Sequence, residues 1–194
     1  IKTLATPIAL NNRAVAMINA GEVEAAISTF CEALQKSRDM VEKAEETTHL
    51  PLHLTLDGLM TKCGHLDNSG DSQEQKTFMH RCAIHIDDAA EDTTCNYESR
   101  AVVSAVLIFN LALAYQLAAA KTTTGNDRYL KKVAKLYELA NRMSHEEQLE
   151  SSTLFSLTCI NNVGLVYQDL RDIVAAQKCF EHLLSTLMFL VDCG

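Results

Sequence analysis

The sequence predicts a mainly α-helical protein, and three observations support this fold class. Apolar residues recur three and four positions apart through most of the 194 residues, as they do along amphipathic helices. Seven Gly and two Pro are too few for a turn-rich sandwich or barrel. Three segments also share one spacing of key residues, which predicts a stack of repeated helix pairs. A chain of this length is expected to form one domain, residues 1–194.

The first helix pair is predicted within residues 1–47. Its first helix runs from about Ile8 to Ala20 and ends at Gly21, because glycine commonly terminates helices. The second helix begins near Glu22, where acidic side chains favour the positive end of the helix dipole. Its apolar residues, spaced three and four apart, are Ala26, Ile27, Phe30, Cys31, Ala33 and Leu34.

The second helix pair is predicted within residues 96–144. An apolar helix runs to about Lys121, where the sequence TTTGND forms a loop between the two helices. An amphipathic helix then covers residues 129–143, so this pair has a longer connection than the first.

The third helix pair is predicted within residues 145–194. Its helices cover about residues 152–169 and 172–191, and the break between them at residues 170–172 is short. This pair therefore repeats the plan of the first, with two helices joined by a tight connection.

A different pattern occupies residues 48–95, between the first and second helix pairs. Residues 49–57 (HLPLHLTLD) alternate between leucines on one face and other residues on the opposite face, which is typical of a half-buried strand. Residues 77–86 alternate less cleanly, and Phe78, His80, Cys82, Ile84 and Ile86 share a face. We therefore predict a small two-stranded β insert, with Pro51 placing the first strand at an edge.

Self-similarity of the helix pairs is the strongest signal in the sequence. The pairs align on Asn12, Asn110 and Asn162, with a small residue two positions later and a large one five positions later. In each second helix, a small or β-branched residue precedes an aromatic residue by four positions. The packing positions defined in this way are Ala14, Met17, Ala26, Phe30, Ala112, Tyr115, Val133, Tyr137, Gly164, Tyr167, Ala176 and Phe180.

This pattern resembles the tetratricopeptide repeat (TPR). The match is clearest in residues 161–184 (NNVGLVYQDLRDIVAAQKCFEHLL) and is nearly as good in residues 11–34 (NNRAVAMINAGEVEAAISTFCEAL). The resemblance implies an α-α superhelix of three TPR-like hairpins, in which small residues allow the helices to approach. The chain departs from a regular array, because the aligned asparagines are 98 and 52 residues apart rather than about 34.

The resemblance also implies a concave groove lined by the first helix of each pair. The groove residues would include the amides Asn12, Asn110, Gln116, Asn162 and Gln168. An amide both donates and accepts hydrogen bonds, so it can bind a peptide main chain without requiring a charge. The alternative is that these amides bind locally to a neighbouring helix.

The TPR proteins that clamp a terminal carboxylate carry Lys and Arg at defined groove positions. In this chain those positions hold uncharged residues, namely Asn11, Val15, Phe109, Leu113, Asn161 and Leu165. A carboxylate clamp is therefore not predicted, and a neutral or mixed partner surface is expected.

The composition limits the classes of partner. A formal net charge of −8 disfavours binding to nucleic acid, because phosphate contacts need a basic surface.

Residues 101–120 contain no charge and are long enough to span a bilayer. They also include Ser104, Asn110 and Gln116, so we predict a buried core helix and no membrane span, and a membrane helix is the alternative.

The seven cysteines indicate the compartment. Their number is odd and no CxxC motif occurs, so free buried thiols are expected rather than a disulfide framework. This pattern favours a reducing intracellular compartment, either the cytoplasm or an organelle lumen or stroma. The chain begins at Ile1 with no signal-peptide pattern, and a targeting segment that precedes Ile1 is compatible with this reading.

A metal site was considered within the β insert. Cys63, His65, His80, Cys82 and His85 are of the right types for zinc, but their spacing matches no standard motif. We therefore predict no metal and no cofactor.

The sequence also contains no nucleophile elbow and no phosphate-binding loop, so an enzyme is not expected. The alternative function is a metal-binding or enzymatic protein that uses this insert.

The sequence thus predicts a non-catalytic interaction or scaffolding module. Its partner would be a protein or a larger assembly, bound through the concave groove, through the edge of the β insert, or both. Self-association is also compatible with the pattern, because the ends of a repeat array need to be covered.

Overall fold

The computed structural model describes residues 5–43, 56, 59, 82–87, 97–121, 127–146 and 152–193. Six α-helices are defined within these residues. They are α1 (Pro7–Asn19), α2 (Val23–Lys43), α3 (Tyr97–Lys121), α4 (Asp127–Glu146), α5 (Thr153–Asp169) and α6 (Ile173–Cys193). The described part of the chain contains no strand, so the prediction of a mainly all-α protein is confirmed there.

The helices pack in chain order. Helices α1 and α2, α3 and α4, and α5 and α6 form three hairpins, and α2 packs on α3 as α4 packs on α5. Helix α1 also contacts α3, so that the first helices of two hairpins are neighbours. The bounds agree with the predicted helices to within a few residues, apart from the longer C-terminal end of α2.

The first and third hairpins use the same connection. In the first, the N–H groups of Gly21 and Glu22 donate to the carbonyls of Ile18 and Met17, both at 2.9 Å. In the third, the equivalent N–H groups 150 positions later, those of Arg171 and Asp172, donate to Gln168 and Tyr167 at the same distance. Gly21 has φ +81° and Arg171 has φ +59°, so both connections place one residue in the left-handed region.

Small residues lie where two helices approach each other. A Cβ atom added at Gly164 in α5 would lie 2.8 Å from Cε1 of Phe180 in α6, which is closer than carbon atoms tolerate. The aligned positions of the first and second hairpins, Ala14 and Ala112, are fully buried. A larger side chain at these positions would separate the helices.

An aromatic cluster joins the second hairpin to the third. The ring of Phe109 in α3 lies 5.3 Å from that of Tyr137 in α4 and 5.6 Å from that of Phe155 in α5, measured between centroids. All three side chains are fully buried, and their tilted and edge-on arrangements are those that aromatic pairs prefer. Phe109 was considered above as a position of the concave groove, and it lies instead in this core.

Two of the described helices are long and apolar enough to cross a membrane by length and composition. The first window, Arg100–Lys121 in α3, is 78% buried inside the protein, as in the core helix of a helical bundle. The second, Ile173–Asp192 in α6, is only 6% buried. The two helices therefore meet the same length and composition criterion in opposite environments.

Most of the predicted β insert lies outside the described residues. Leu56, expected in the first strand, is instead helical and buried, as is Leu59, so the strand prediction is wrong at Leu56. The spacing of three between these leucines places both on one face of a helix, where they can reach the core together. Residues 82–86 of the second predicted strand, together with Asp87, are non-helical and are not paired in a sheet within the described residues.

Candidate functional site

The segment 82–87 lies against helices α1 and α3. Ile84 and Ile86 are fully buried in the core that these helices form, whereas His85 between them is exposed. The side chains therefore alternate in environment as they do in an extended strand. This alternation was expected from the sequence, but the hydrogen-bonding partners of the segment were not.

Asn12 in α1 binds both main-chain groups of Ile86. Its Nδ2 donates to the Ile86 carbonyl oxygen at 2.6 Å, and its Oδ1 accepts from the Ile86 N–H at 3.0 Å. An adjacent strand would offer the same donor and acceptor to this residue. A side-chain amide thus takes the place of a strand.

Asn110 in α3 binds Ile84 in the same way. Its Oδ1 accepts from the Ile84 N–H at 2.7 Å, and its Nδ2 donates to the Ile84 carbonyl oxygen at 2.8 Å. Asn11 also donates to this carbonyl, at 3.0 Å, so the carbonyl oxygen accepts two hydrogen bonds. We call Asn11, Asn12 and Asn110 the asparagine site.

The three side chains of the asparagine site are joined to one another. Asn110 Nδ2 donates to Asn11 Oδ1 at 2.9 Å, and Asn11 Nδ2 donates to Asn12 Oδ1 at 3.2 Å. Asn11 and Asn110 are fully buried, so unpaired amide groups would be costly there. The hydrogen bonds between the amides thus help to orient each of them toward the segment.

Sequence reasoning identified Asn12 and Asn110 but missed the role of Asn11. Asn11 was considered only as a position that lacks the charge of a carboxylate clamp. Its adjacency to Asn12 is a signal that could have revealed it, since the pair recurs as Asn161 and Asn162 in α5. Asn161 Nδ2 donates to Asn162 Oδ1 at 3.4 Å, which repeats the contact between Asn11 and Asn12.

Two other predicted groove amides bind a buried tyrosine instead. The hydroxyl of Tyr137 donates to Gln116 Oε1 at 2.9 Å, and Asn162 also forms a hydrogen bond with this hydroxyl. Burial raises the pKa of Tyr137 above its ordinary range, and the hydrogen bond from Asn162 opposes this shift. Gln116 and Asn162 thus bind locally between helices, which is the alternative that the sequence had left open.

The fifth predicted amide, Gln168, lies apart from the others. It is exposed at the end of α5 and borders an open groove of about 490 Å³ between α5 and α6. Ala176, Phe180 and Leu184 of α6 line the same groove. Gln168 therefore belongs to a separate surface and not to the asparagine site.

Two positions that are buried in α2 are apolar and exposed at the equivalent places in α6. Val23 at the start of α2 is 2% exposed, and its counterpart Ile173 is 63% exposed. Ser37, later in α2, is 7% exposed, whereas its counterpart Leu187 is 43% exposed. The difference arises because α3 packs on α2.

The predicted packing positions differ in burial. The small, β-branched and some aromatic ones are buried, and four large ones are half-buried: Met17, Tyr115, Tyr167 and Phe180.

Two half-buried tyrosines bind charged groups of α4. Lys132 donates to the Tyr115 hydroxyl at 2.6 Å, and the Tyr167 hydroxyl donates to Glu138. The hydrogen bond to Glu138 raises the pKa of Tyr167, and partial burial adds to the shift.

Thiols and histidines do not come together in the part of the chain that the structure describes. No group of three His, Cys, Asp or Glu side chains that could hold a metal ion occurs there. Of the candidate ligands, Cys82 is half-buried and His85 is exposed, while Cys63, His65 and His80 lie outside the described residues. Burial raises the pKa of the Cys159 thiol, which disfavours the reactive thiolate.

No family model, curated protein or solved structure matches this chain at a significant level. The resemblance to TPR proteins therefore stays a prediction. The features of the described residues that bear on function are the geometry of the asparagine site and the exposed apolar side chains of α6.

Proposed function

We propose that this chain is a non-catalytic interaction or scaffolding module that binds the extended main chain of a protein partner. One observation carries this proposal: Asn12 and Asn110 each bind the N–H and the C=O of a single residue in an extended segment. Such pairing supplies affinity through main-chain groups, and pockets for alternate side chains supply specificity.

The proposal takes the three hairpins to be a TPR-like superhelix whose first helices line a concave face. Three features support this view. The aligned residues Asn12 and Asn110 come together on adjacent first helices, a small residue lies at the close approach of α5 and α6, and the connections at Gly21 and Arg171 are alike. Stacked helix pairs commonly form extended binding surfaces on such a face.

We also propose that the protein is soluble, that it lies in a reducing intracellular compartment, and that it acts as a subunit of a larger assembly. The exposed apolar face of α6 supports the assembly, since large exposed apolar patches commonly mark interaction sites. The thiols at Cys31, Cys159 and Cys179 support the reducing compartment.

The experiment that tests the proposal compares two matched variants of the tagged full chain. Asn12→Leu removes the donor and the acceptor while keeping the branching and the number of side-chain heavy atoms, and Asn19→Leu makes the same change at an exposed position of α1. Affinity capture from the native source, followed by mass spectrometry, is expected to recover one stoichiometric partner with the unaltered chain and with Asn19→Leu. Asn12→Leu should lose it.

Recovery of the same partner in the same amount with Asn12→Leu would contradict binding at the asparagine site. Circular dichroism of both variants establishes that each remains folded, so that a lost partner reports the site and not unfolding. Recovery of the chain alone in every case would contradict the scaffold role itself.

A further inference from the structure

The asparagine site is already occupied by the chain's own segment 82–87. Its N–H groups at Ile84 and Ile86 donate to Asn110 and Asn12, its two carbonyl oxygens accept from the same side chains, and both isoleucine side chains are fully buried. A partner's main chain cannot make these hydrogen bonds while the segment is bound.

We propose that residues 82–87 are an intramolecular pseudo-ligand, and that a partner binds by displacing them with an extended segment of the same pattern. That pattern is two apolar residues separated by one residue of any type. This inference rests on the proposed function, because it assumes that the asparagine site binds a partner.

The contacts themselves favour an exchangeable ligand. The hydrogen bonds that Asn11, Asn12 and Asn110 form with Ile84 and Ile86 join main-chain atoms of the segment to side chains of α1 and α3. Since every residue except proline carries the same main-chain groups, another extended segment can make the same bonds. Ile84 lies 73 positions from Asn11 along the chain and Ile86 lies 74 positions from Asn12, so the binding of the segment to α1 is a long-range association.

The same contacts define the partner's chemistry. Because the N–H groups of Ile84 and Ile86 both donate to asparagine side chains, proline is excluded at the two matching positions. Burial of both side chains requires apolar residues there, and β-branched ones favour the extended conformation. The exposure of His85 leaves the position between them unrestricted.

Hydrogen exchange of the unmodified full chain tests whether the segment leaves. A displaceable segment opens without global unfolding, so the amides of Ile84 and Ile86 should exchange at least about tenfold faster than the slowest amides of α3. Equal exchange rates for the segment and for α3 would show that the segment leaves only on global unfolding. That result would overturn the inference, yet it would leave partner binding through α6 intact.

Binding of a peptide in trans tests the competition. The probe is a fluorescent synthetic peptide with the sequence of residues 80–89, and the protein is the full chain with Ile84→Thr and Ile86→Thr. Weakening the internal segment should raise the affinity for the probe by at least about tenfold over the unaltered chain. A control peptide with proline at both isoleucine positions should not bind.

The outcomes separate the two proposals. If the double variant is folded, releases its segment by exchange and still binds no probe, the proposed peptide-binding function is wrong, and the competition inference fails with it. If the variant binds the probe no better than the unaltered chain does, the segment is not a competitor. Should the variant fail to fold, the exchange rates of the unaltered chain decide alone.

Discussion

Gly164 in α5 and Phe180 in α6 are in such close contact that a Cβ on the glycine would lie 2.8 Å from Cε1 of the ring. Cζ of the same ring would be at 3.0 Å and Cβ of Cys179 at 3.2 Å. The two helices of the third hairpin therefore approach each other closely here because position 164 has no side chain, which leaves room for the Phe180 ring.

This contact predicts a change of sign in a double-mutant cycle. Gly164→Ala alone should lower the free energy of unfolding by about 1 kcal/mol, because crowding against the ring exceeds the gain in helix propensity. In a Phe180→Ala background the same substitution should raise it by up to about 1 kcal/mol, since the crowding against the ring is gone and only the contact with Cβ of Cys179 opposes the propensity gain. Urea denaturation of the four proteins measures the coupling, and additive effects would contradict the close contact.

The two equivalent hairpin connections predict opposite effects of glycine. Arg171→Gly should stabilise the protein by about 0.5–1 kcal/mol, because the left-handed conformation that strains arginine suits glycine. Gly21→Arg, the reverse change in the same turn, should destabilise it by about 1 kcal/mol. Thermal and urea unfolding of both variants measure these effects. A destabilising Arg171→Gly would indicate that the arginine side chain contributes more than its backbone strain costs.

Asparagine-to-leucine substitutions should cost stability in proportion to what they leave unpaired. Asn110→Leu removes the partners of the Ile84 N–H and of Asn11 in a fully buried place, so a loss of about 2–4 kcal/mol is expected. Asn12→Leu, at a half-buried position, should cost about 1–2 kcal/mol.

The matched control for these two variants is Asn19→Leu at the exposed end of α1. It should change the free energy of unfolding by less than about 0.5 kcal/mol, as most surface substitutions do. Equal losses at Asn110 and Asn19 would mean that the hydrogen-bond network contributes nothing to stability.

The stability of the protein should fall as the pH rises above about 9. Burial raises the pKa of Cys159 and of Tyr137 above their ordinary values of 9.0 and 10.0. Because the folded state holds these protons more tightly, the stabilisation is complete below the unfolded pKa and is lost above it. The loss should begin near pH 9 through Cys159 and near pH 10 through Tyr137.

Urea unfolding from pH 7 to 11 under reducing conditions measures this dependence. Cys159→Ala should remove up to about 1.4 kcal/mol per pH unit from the slope above pH 9. Cys31→Ala, at an exposed cysteine, is the matched control and should follow the unaltered chain closely. Identical slopes for both variants would contradict a protonated, buried Cys159.

The apolar face of α6 should govern association rather than folding. Phe189 is 65% exposed, so Phe189→Glu should change the free energy of unfolding by less than about 0.5 kcal/mol. It should also reduce any concentration-dependent association, measured by light scattering, because it interrupts the apolar patch. Phe155→Glu at a fully buried ring is the contrasting variant and should prevent folding. A large loss of stability in Phe189→Glu would place that ring in the core.

Helix positions were predictable because their causes lie within a few residues. Apolar residues spaced three and four apart, apolar runs and the repeat alignment together located the six described helices, and Gly21 marked the end of the first. The strand predicted through Leu56 was wrong at that residue, because alternating leucines also contain pairs that share a helix face. In a short apolar run the local pattern fits both a helix and a strand, and only the length of the run and its flanking residues distinguish the two.

The asparagine side chains could be selected from the sequence, but their hydrogen-bond partners could not. Composition and repeat spacing were enough to select Asn12, Asn110 and Asn162 as special, since all three recur at one place in the repeat. Their separate partners depend on contacts between residues far apart in the chain. Asn12 meets Ile86 across 74 positions, whereas Asn162 meets the buried Tyr137.

Periodicity in the sequence was thus sufficient for the helices, their pairing into hairpins and the small residues at their contacts, because hydrogen bonding and side-chain spacing within a helix are local. Only the packing of α1 beside α3 brings Asn11, Asn12 and Asn110 together around one extended segment. Tertiary packing also leaves α6 exposed while α3, another long apolar helix, is buried. Burial depends on which neighbour covers a face, and no local pattern contains that information.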